Sequence, residues 1–256
     1  MSKVKSLMIF GVILIIVIIL ILFDIFKFFS FESRVSKLEE FKPVKNEEVL
    51  GWLQVSGTNI DYPILYNSSE FDVDEFNEYD FAWTNKNDEL LTNRVVITGH
   101  NYLNVSANPI IGDKNHTRFE QLMGYVYPEF VEKNKYIVYT KNDVDYVYEI
   151  FSVGFYEDYE IKYSLTHMSY EELDKYLNNS LAGSFYDFDV DVTNEDFIIS
   201  LVTCTRMFGV NDNRSLKIDA RLVEDKMIYD NYDFSKNDNY DYIENAVMKG
   251  GVDSEI

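Results

Sequence analysis

Beyond Pro43 the chain runs in short apolar stretches rich in Val, Ile, Tyr and Phe, separated by Gly, Asn and Asp. Within the stretches apolar and polar positions tend to alternate, and this texture predicts an antiparallel β domain. The candidate strands are residues 50–55, 61–65, 94–98, 135–140, 145–155, 196–203 and 215–223. One helix interrupts them: Ser169 and Glu172 stand at capping-box spacing, with Leu173, Tyr176, Leu177 and Leu181 following on one face. A second helical segment, residues 31–41, carries Val35, Leu38 and Phe41 at helical spacing and is expected to be a stalk or side helix.

The amino terminus has a different pattern. Residues 7–23 are 17 consecutive apolar or glycine positions, extended by Ile25, Phe26, Phe28 and Phe29. That length reaches the lower end of what spans a bilayer core. Lys3 and Lys5 precede the run, so the positive-inside bias keeps the amino terminus cytoplasmic and puts everything after about residue 30 outside. No small-x-small cleavage site follows, which favours an uncleaved anchor. The expected organisation is a cytoplasmic stub and anchor over 1–30, a helical stalk over 31–47, a β domain over 48–224, and an acidic Tyr/Asn/Asp-rich tail over 225–256, read as peripheral or disordered.

Composition removes several functions. Of 256 residues, 23 are Lys or Arg and 44 are Asp or Glu, a net charge of −21 whose field would repel a polyphosphate, so nucleic acid is not an expected partner. The sole cysteine, Cys204, excludes an intramolecular disulfide, and one thiol with three histidines cannot build a Cys-based zinc cluster. No metal site is expected. The acidic segment FDVDEFNEYD, residues 71–80, lacks the glycine and spacing of an EF-hand loop and reads as a solvated face.

Thiol chemistry therefore falls on Cys204, which ends the strand pattern DFIISLVTC as it enters the polar loop TRMFGVNDN. In the next strand Leu216, Ile218, Ala220 and Leu222 alternate with Ser215, Lys217, Asp219 and Arg221, and parity puts Arg214 with the apolar set. If the two strands are antiparallel neighbours, Arg214 begins its strand beside the end of the cysteine strand. A third group stands at another strand end, where RVVITGHN runs through Gly99 into His100. Three chemically useful side chains are thereby expected on one rim. Arg206, two residues after Cys204, competes with Arg214 for the cationic role, while His116 and His167 read as surface or capping residues.

TGHN around His100, SLVTC ending at Cys204 and an arginine ten residues later together resemble the sortase transpeptidases, membrane-anchored enzymes of Gram-positive surfaces. GWLQVSGTNIDYPIL, residues 51–65, is similar to the segment that opens the class B sortase barrel, and the helix ahead of the cysteine strand is similar to the class B elaboration. The resemblance covers about residues 48–223. It implies an eight-stranded β-barrel with an N-terminal helix and an inserted helix before the cysteine strand, no required cofactor, and His100, Cys204 and Arg214 as catalytic residues. Ser200, where the family usually has Thr, and Thr203 are the expected substrate contacts. The stretch from Tyr102 to Thr117 is longer than the family pattern.

A free thiol titrates near ~8.5 and becomes an efficient nucleophile beside an imidazole, the partner His100 can supply. The resemblance implies capture of a secreted protein bearing a C-terminal sorting signal and its transfer to a peptidoglycan precursor or cell-wall peptide amine. A pilus-building enzyme using a pilin Lys amine is the alternative acceptor chemistry. A non-catalytic surface binding protein is the alternative of a different class. A papain-like protease is disfavoured, because there the Cys precedes the His.

Overall fold

The computed structural model describes residues 12–15, 18, 49–66, 83–84, 93–101, 118–142, 144–162, 168–205, 207–208, 213–223 and 232–248. The chain divides into two units, residues 1–46 and 47–256. In the first, residues 12–15 and 18 are helical and exposed. No helix among the described residues is long and apolar enough to cross a membrane. Most of the expected anchor, the stalk helix, the acidic segment 71–80, the stretch 102–117, His116, His167 and Arg206 lie outside the described residues.

Among the described residues the second unit has ten strands: β1 (Val49–Val55), β2 (Asp61–Tyr66), β3 (Trp83–Thr84), β4 (Arg94–Gly99), β5 (Tyr136–Lys141), β6 (Val144–Glu157), β7 (Tyr186–Phe188), β8 (Ile198–Cys204), β9 (Arg214–Leu222) and β10 (Phe234–Lys236). Eight close a barrel in the order β1-β2-β3-β4-β8-β9-β6-β5, and β7 pairs with β10 in a separate two-stranded sheet. A 3-10 helix (Phe119–Val126) and α1 (Pro128–Val131) precede β5. The connection from β6 to β7 carries α2 (Asp158–Ile161) and α3 (Tyr170–Gly183), and α4 (Asp238–Met248) closes the fold. The expected mostly-β, eight-stranded barrel with a helix ahead of the cysteine strand is the architecture observed.

Alternation along the strands separates an interior cluster from an outer layer. Leu53, Val95, Ile97, Ile199, Leu201, Leu216, Ile218 and Ala220 belong to the interior cluster. On the outside, α3 packs Leu173, Tyr176 and Leu177 against Phe151 and Ile198. On long strand β6 the inward positions change from Tyr148 and Ile150 to Val153 and Phe155, because the register with β9 shifts between Ile150 and Ser152. The bulge swings Phe151 outward, beneath α3.

The capping box forms as expected: the Glu172 amide donates to Ser169 Oγ at 3.3 Å, and the Ser169 amide donates to Glu172 Oε2 at 2.9 Å. Leu181, expected on the buried face, is instead 41% exposed. At about 100° per residue it lies some 80° round from Leu173, whereas Ser180 lies within about 20° and is fully buried. Part of the acidic tail is described, residues 232–248. They include β10 and α4, and Tyr232, Tyr240 and Ile243 are buried. Aromatic side chains explain this, since Tyr186 meets Phe234 at 5.4 Å and Tyr240 at 5.5 Å between ring centroids.

Helix α3 approaches β6 closely at Gly154, where a Cβ would stand 2.4 Å from the Gly183 carbonyl oxygen and 2.8 Å from the Tyr156 ring. Backbone cannot yield as a flexible side chain does. Gly154→Ala is therefore expected to destabilise the domain by about 1–3 kcal/mol, the cost of overpacking, read as a lower denaturant midpoint at constant slope. An unchanged midpoint would show that α3 is not seated on β6 in solution.

Candidate active site

Strands β4 and β8 are parallel neighbours, in register from Arg94 opposite Ile198 to Gly99 opposite Thr203. They end together, so the next residues, His100 and Cys204, emerge from adjacent strands about 4.8 Å apart. Strand β9 runs antiparallel to β8 with Ser215 opposite Cys204, which sets Arg214 at the same end, across from Glu157 of β6. The structure thus brings His100, Cys204 and Arg214 to one rim, on three neighbouring strands.

Alternation assigns the faces. Cys204 follows the outward series Ser200 and Val202, and His100 follows the outward series Arg94 and Val96, so thiol and imidazole share the outer face. Arg214 follows the inward series Leu216, Ile218 and Ala220 and lies at the mouth of the barrel, half-buried. Its guanidinium carbon sits 3.5 Å from the centroid of the Phe208 ring. Convergence therefore belongs to the rim, where residues of both faces reach the opening, and not to one shared face.

The Cys204 side chain is exposed, so its thiol is open to solvent. Its backbone is held firmly. Asn101 Nδ2 donates to the Cys204 carbonyl at 2.9 Å, tying the segment after His100 to the end of β8. Just beyond, the Met207 amide donates to Thr205 Oγ1 at 3.1 Å while the Met207 side chain is fully buried. Asn101 stood in the motif TGHN, yet its role shows only when β4 and β8 lie side by side.

The two expected substrate contacts are placed elsewhere. Thr203 is 2% exposed, and its hydroxyl donates to the Gly99 carbonyl at 2.8 Å, bridging the strands behind the rim. Ser200 is fully buried on the outer face beneath α3. It donates to Asp219 Oδ1 at 2.6 Å and accepts from Arg94 Nε at 3.0 Å. A substrate cannot reach either hydroxyl in this fold, so both expectations are corrected to structural roles.

Ser200 belongs to a buried polar network on the outer side of β8 and β9. Lys217 Nζ pairs with Asp219 Oδ2 at 2.8 Å and donates to Ser180 Oγ at 2.6 Å. Tyr176 of α3 donates to Asp219 Oδ1 at 2.6 Å. Arg94 donates to the carbonyls of Ile161 at 2.7 Å and Lys162 at 3.0 Å, and its guanidinium lies over the Tyr176 ring. Burial alone would raise the Asp219 carboxyl, but Lys217, Arg94 and the hydrogen bonds from Lys217 and Ser200 outweigh it and hold the group below its ordinary value. Burial would likewise lower the Lys217 ammonium, and Asp219 with the two tyrosines more than reverses that. Among the described residues no cluster of His, Cys, Asp and Glu is arranged to hold a metal ion.

An exposed thiol with an imidazole on the same face and a guanidinium at the same rim is a set of groups suited to acyl transfer through a thioester. No family model matches the chain. Over 180 residues it is 23% identical to sortase B of Staphylococcus aureus, covering 70% of this chain and 72% of that protein. With sortase B of Listeria monocytogenes it shares 28% identity over 176 residues, 62% of this chain and 63% of the other. The fold is similar to that of a sortase B complexed with triglycine, with a TM-score of 0.57 and 22% identity over 77% of this chain and 92% of that one. It is similar also to sortase B from the type II pilus of Streptococcus pneumoniae, with a TM-score of 0.56 and 24% identity over 74% and 98% of the two chains.

Proposed function

We propose that this chain, a class B sortase and hence a cysteine transpeptidase, is anchored in a membrane by residues 7–23 and cuts a sorting signal in secreted proteins outside the cell. The reading is supported above all by the common end of β4, β8 and β9, where His100, Cys204 and Arg214 meet the solvent. The Cys204 thiolate attacks the scissile carbonyl, and the oxyanion of the tetrahedral adduct receives hydrogen bonds and positive charge from Arg214. His100, protonated when the thiol ionised, gives its proton to the departing amine as the C–N bond breaks. A thioacyl enzyme remains. An acceptor amine attacks it, loses a proton to His100 and forms a new amide as Cys204 leaves as thiolate.

The acceptor we propose is an amine of a cell-wall peptide, and a short oligoglycine is its simplest probe. The likeness to a pilus sortase keeps a pilin Lys amine as the second acceptor. Full-length protein in detergent, incubated with a library of sorting-signal peptides and either triglycine or an Nε-free Lys peptide, is expected to yield one peptide family joined to triglycine, identified by sequencing the products. Joining only to the Lys peptide would move the reading to pilus assembly, and hydrolysis alone with every amine would overturn the transfer. In cells the unprocessed chain is expected in the membrane fraction. A processed form in the medium would remove the anchor from this reading.

A further inference from the structure

We propose that Phe208 is a positioning residue for the transfer reaction, its ring holding the Arg214 guanidinium in place at the Cys204 rim. The proposal rests on the reading of Arg214 as the oxyanion donor. Phe208 lies in the loop between β8 and β9, with the Arg214 guanidinium carbon 3.5 Å from its ring centroid. A guanidinium set over an aromatic face keeps its plane while its edge N–H groups remain able to donate.

Phe208 is itself held. Its ring meets Phe155 edge-on, with centroids 5.1 Å apart and planes at 89°. Phe155 in turn meets Phe185 at 5.1 Å and sits on β6 opposite Leu216, two residues from Arg214. One residue before Phe208, the buried Met207 side chain anchors the loop in the core. The surface on which Arg214 lies is thus built from the barrel that carries the nucleophile. An oxyanion donor helps only when it is already in position as charge develops, because reorganisation during the reaction would cancel the gain. The ring lies directly against that long side chain at the strand mouth and narrows the orientations open to its plane.

The test compares Phe208→Leu, Phe208→Met and Phe208→Tyr with Arg214→Ala and the Phe208→Leu/Arg214→Ala double variant. All are full-length proteins assayed with the peptide selected from the library and triglycine. Arg214→Ala is expected to lower kcat about a hundredfold. Phe208→Leu and Phe208→Met should each lower kcat by about three- to thirty-fold, the worth of a cation–π contact, with KM and the rate of Cys204 alkylation nearly unchanged. Phe208→Tyr should restore most of the loss. In the double variant Phe208→Leu should add nothing to the Arg214 defect, because the ring acts only through the guanidinium. Additive losses, or full kcat in both apolar variants beside a defective Arg214→Ala, would overturn the proposal and leave the role of Arg214 standing. Full activity in Arg214→Ala would overturn that role and the proposal with it.

Discussion

Cys204→Ala is expected to abolish transfer and to leave no acyl-enzyme adduct in an intact-mass measurement after mixing with a sorting peptide. No other thiol exists in the chain to replace it. His100→Ala should keep the thiol but slow turnover by at least ~10², the usual worth of a positioned proton carrier, because neither thiolate formation nor departure of the amine is then assisted. Substitution of His116 or His167 by alanine should change turnover little. An adduct on the Cys204→Ala protein would place the covalent step elsewhere, and a loss at His116 matching that at His100 would reassign the base.

The largest effect on stability is expected at Asp219, which is fully buried. Its carboxylate is buried between Lys217, Ser200 and Tyr176, with Arg94 nearby. Asp219→Ala leaves the Lys217 ammonium buried without its counter-charge, a change that typically costs about 3–5 kcal/mol. For a domain of this size that lowers the melting temperature by roughly 10 °C or more.

The dependence on pH follows from the direction of each shift. Asp219 is held below its ordinary value in the folded state, so its contribution is present above the ordinary carboxylate range and disappears as pH falls through the folded value. Lys217 is held above its ordinary value, so its contribution is present below about 10.4 and disappears as pH rises through the folded value. Stability owed to the pair should be flat between roughly pH 5 and 9, and parent and Asp219→Ala should converge in acid. A paired replacement, Lys217→Met with Asp219→Leu, should recover much of the loss, since it removes both charges together. Denaturant titrations across pH check this, and a loss below about 1 kcal/mol at pH 7 would mean that the network is hydrated in solution.

That network marks where sequence reading stops. On β9 the alternation of Leu216, Ile218 and Ala220 with Ser215, Lys217 and Asp219 identifies two faces, and a polar row opposite an apolar one is ordinarily the solvent side. In the fold it is buried, because α3 lies over it and Tyr176 and Ser180 complete its hydrogen bonds. Alternation reports that a strand has two different sides. It carries no information about what is laid on the second one.

The amino-acid sequence by itself determined what depends on near neighbours: the period-two strands of the barrel, the Ser169–Glu172 cap of α3, the thiol at a strand end, and the order of His100, Cys204 and Arg214 along the chain. Those features follow from backbone geometry over a few residues, and strand ends read from a local pattern already bring three side chains toward one rim. Tertiary structure alone decided the rest. The parallel seating of β4 on β8 buries Thr203 against Gly99 and gives Asn101 the Cys204 carbonyl. The bulge after Ile150 reverses the inward parity of β6, and the aromatic rings of Tyr186, Phe234 and Tyr240 pack together across more than forty residues of chain. Each of these needs partners tens of residues away in the chain, and no local pattern can specify the contact between them.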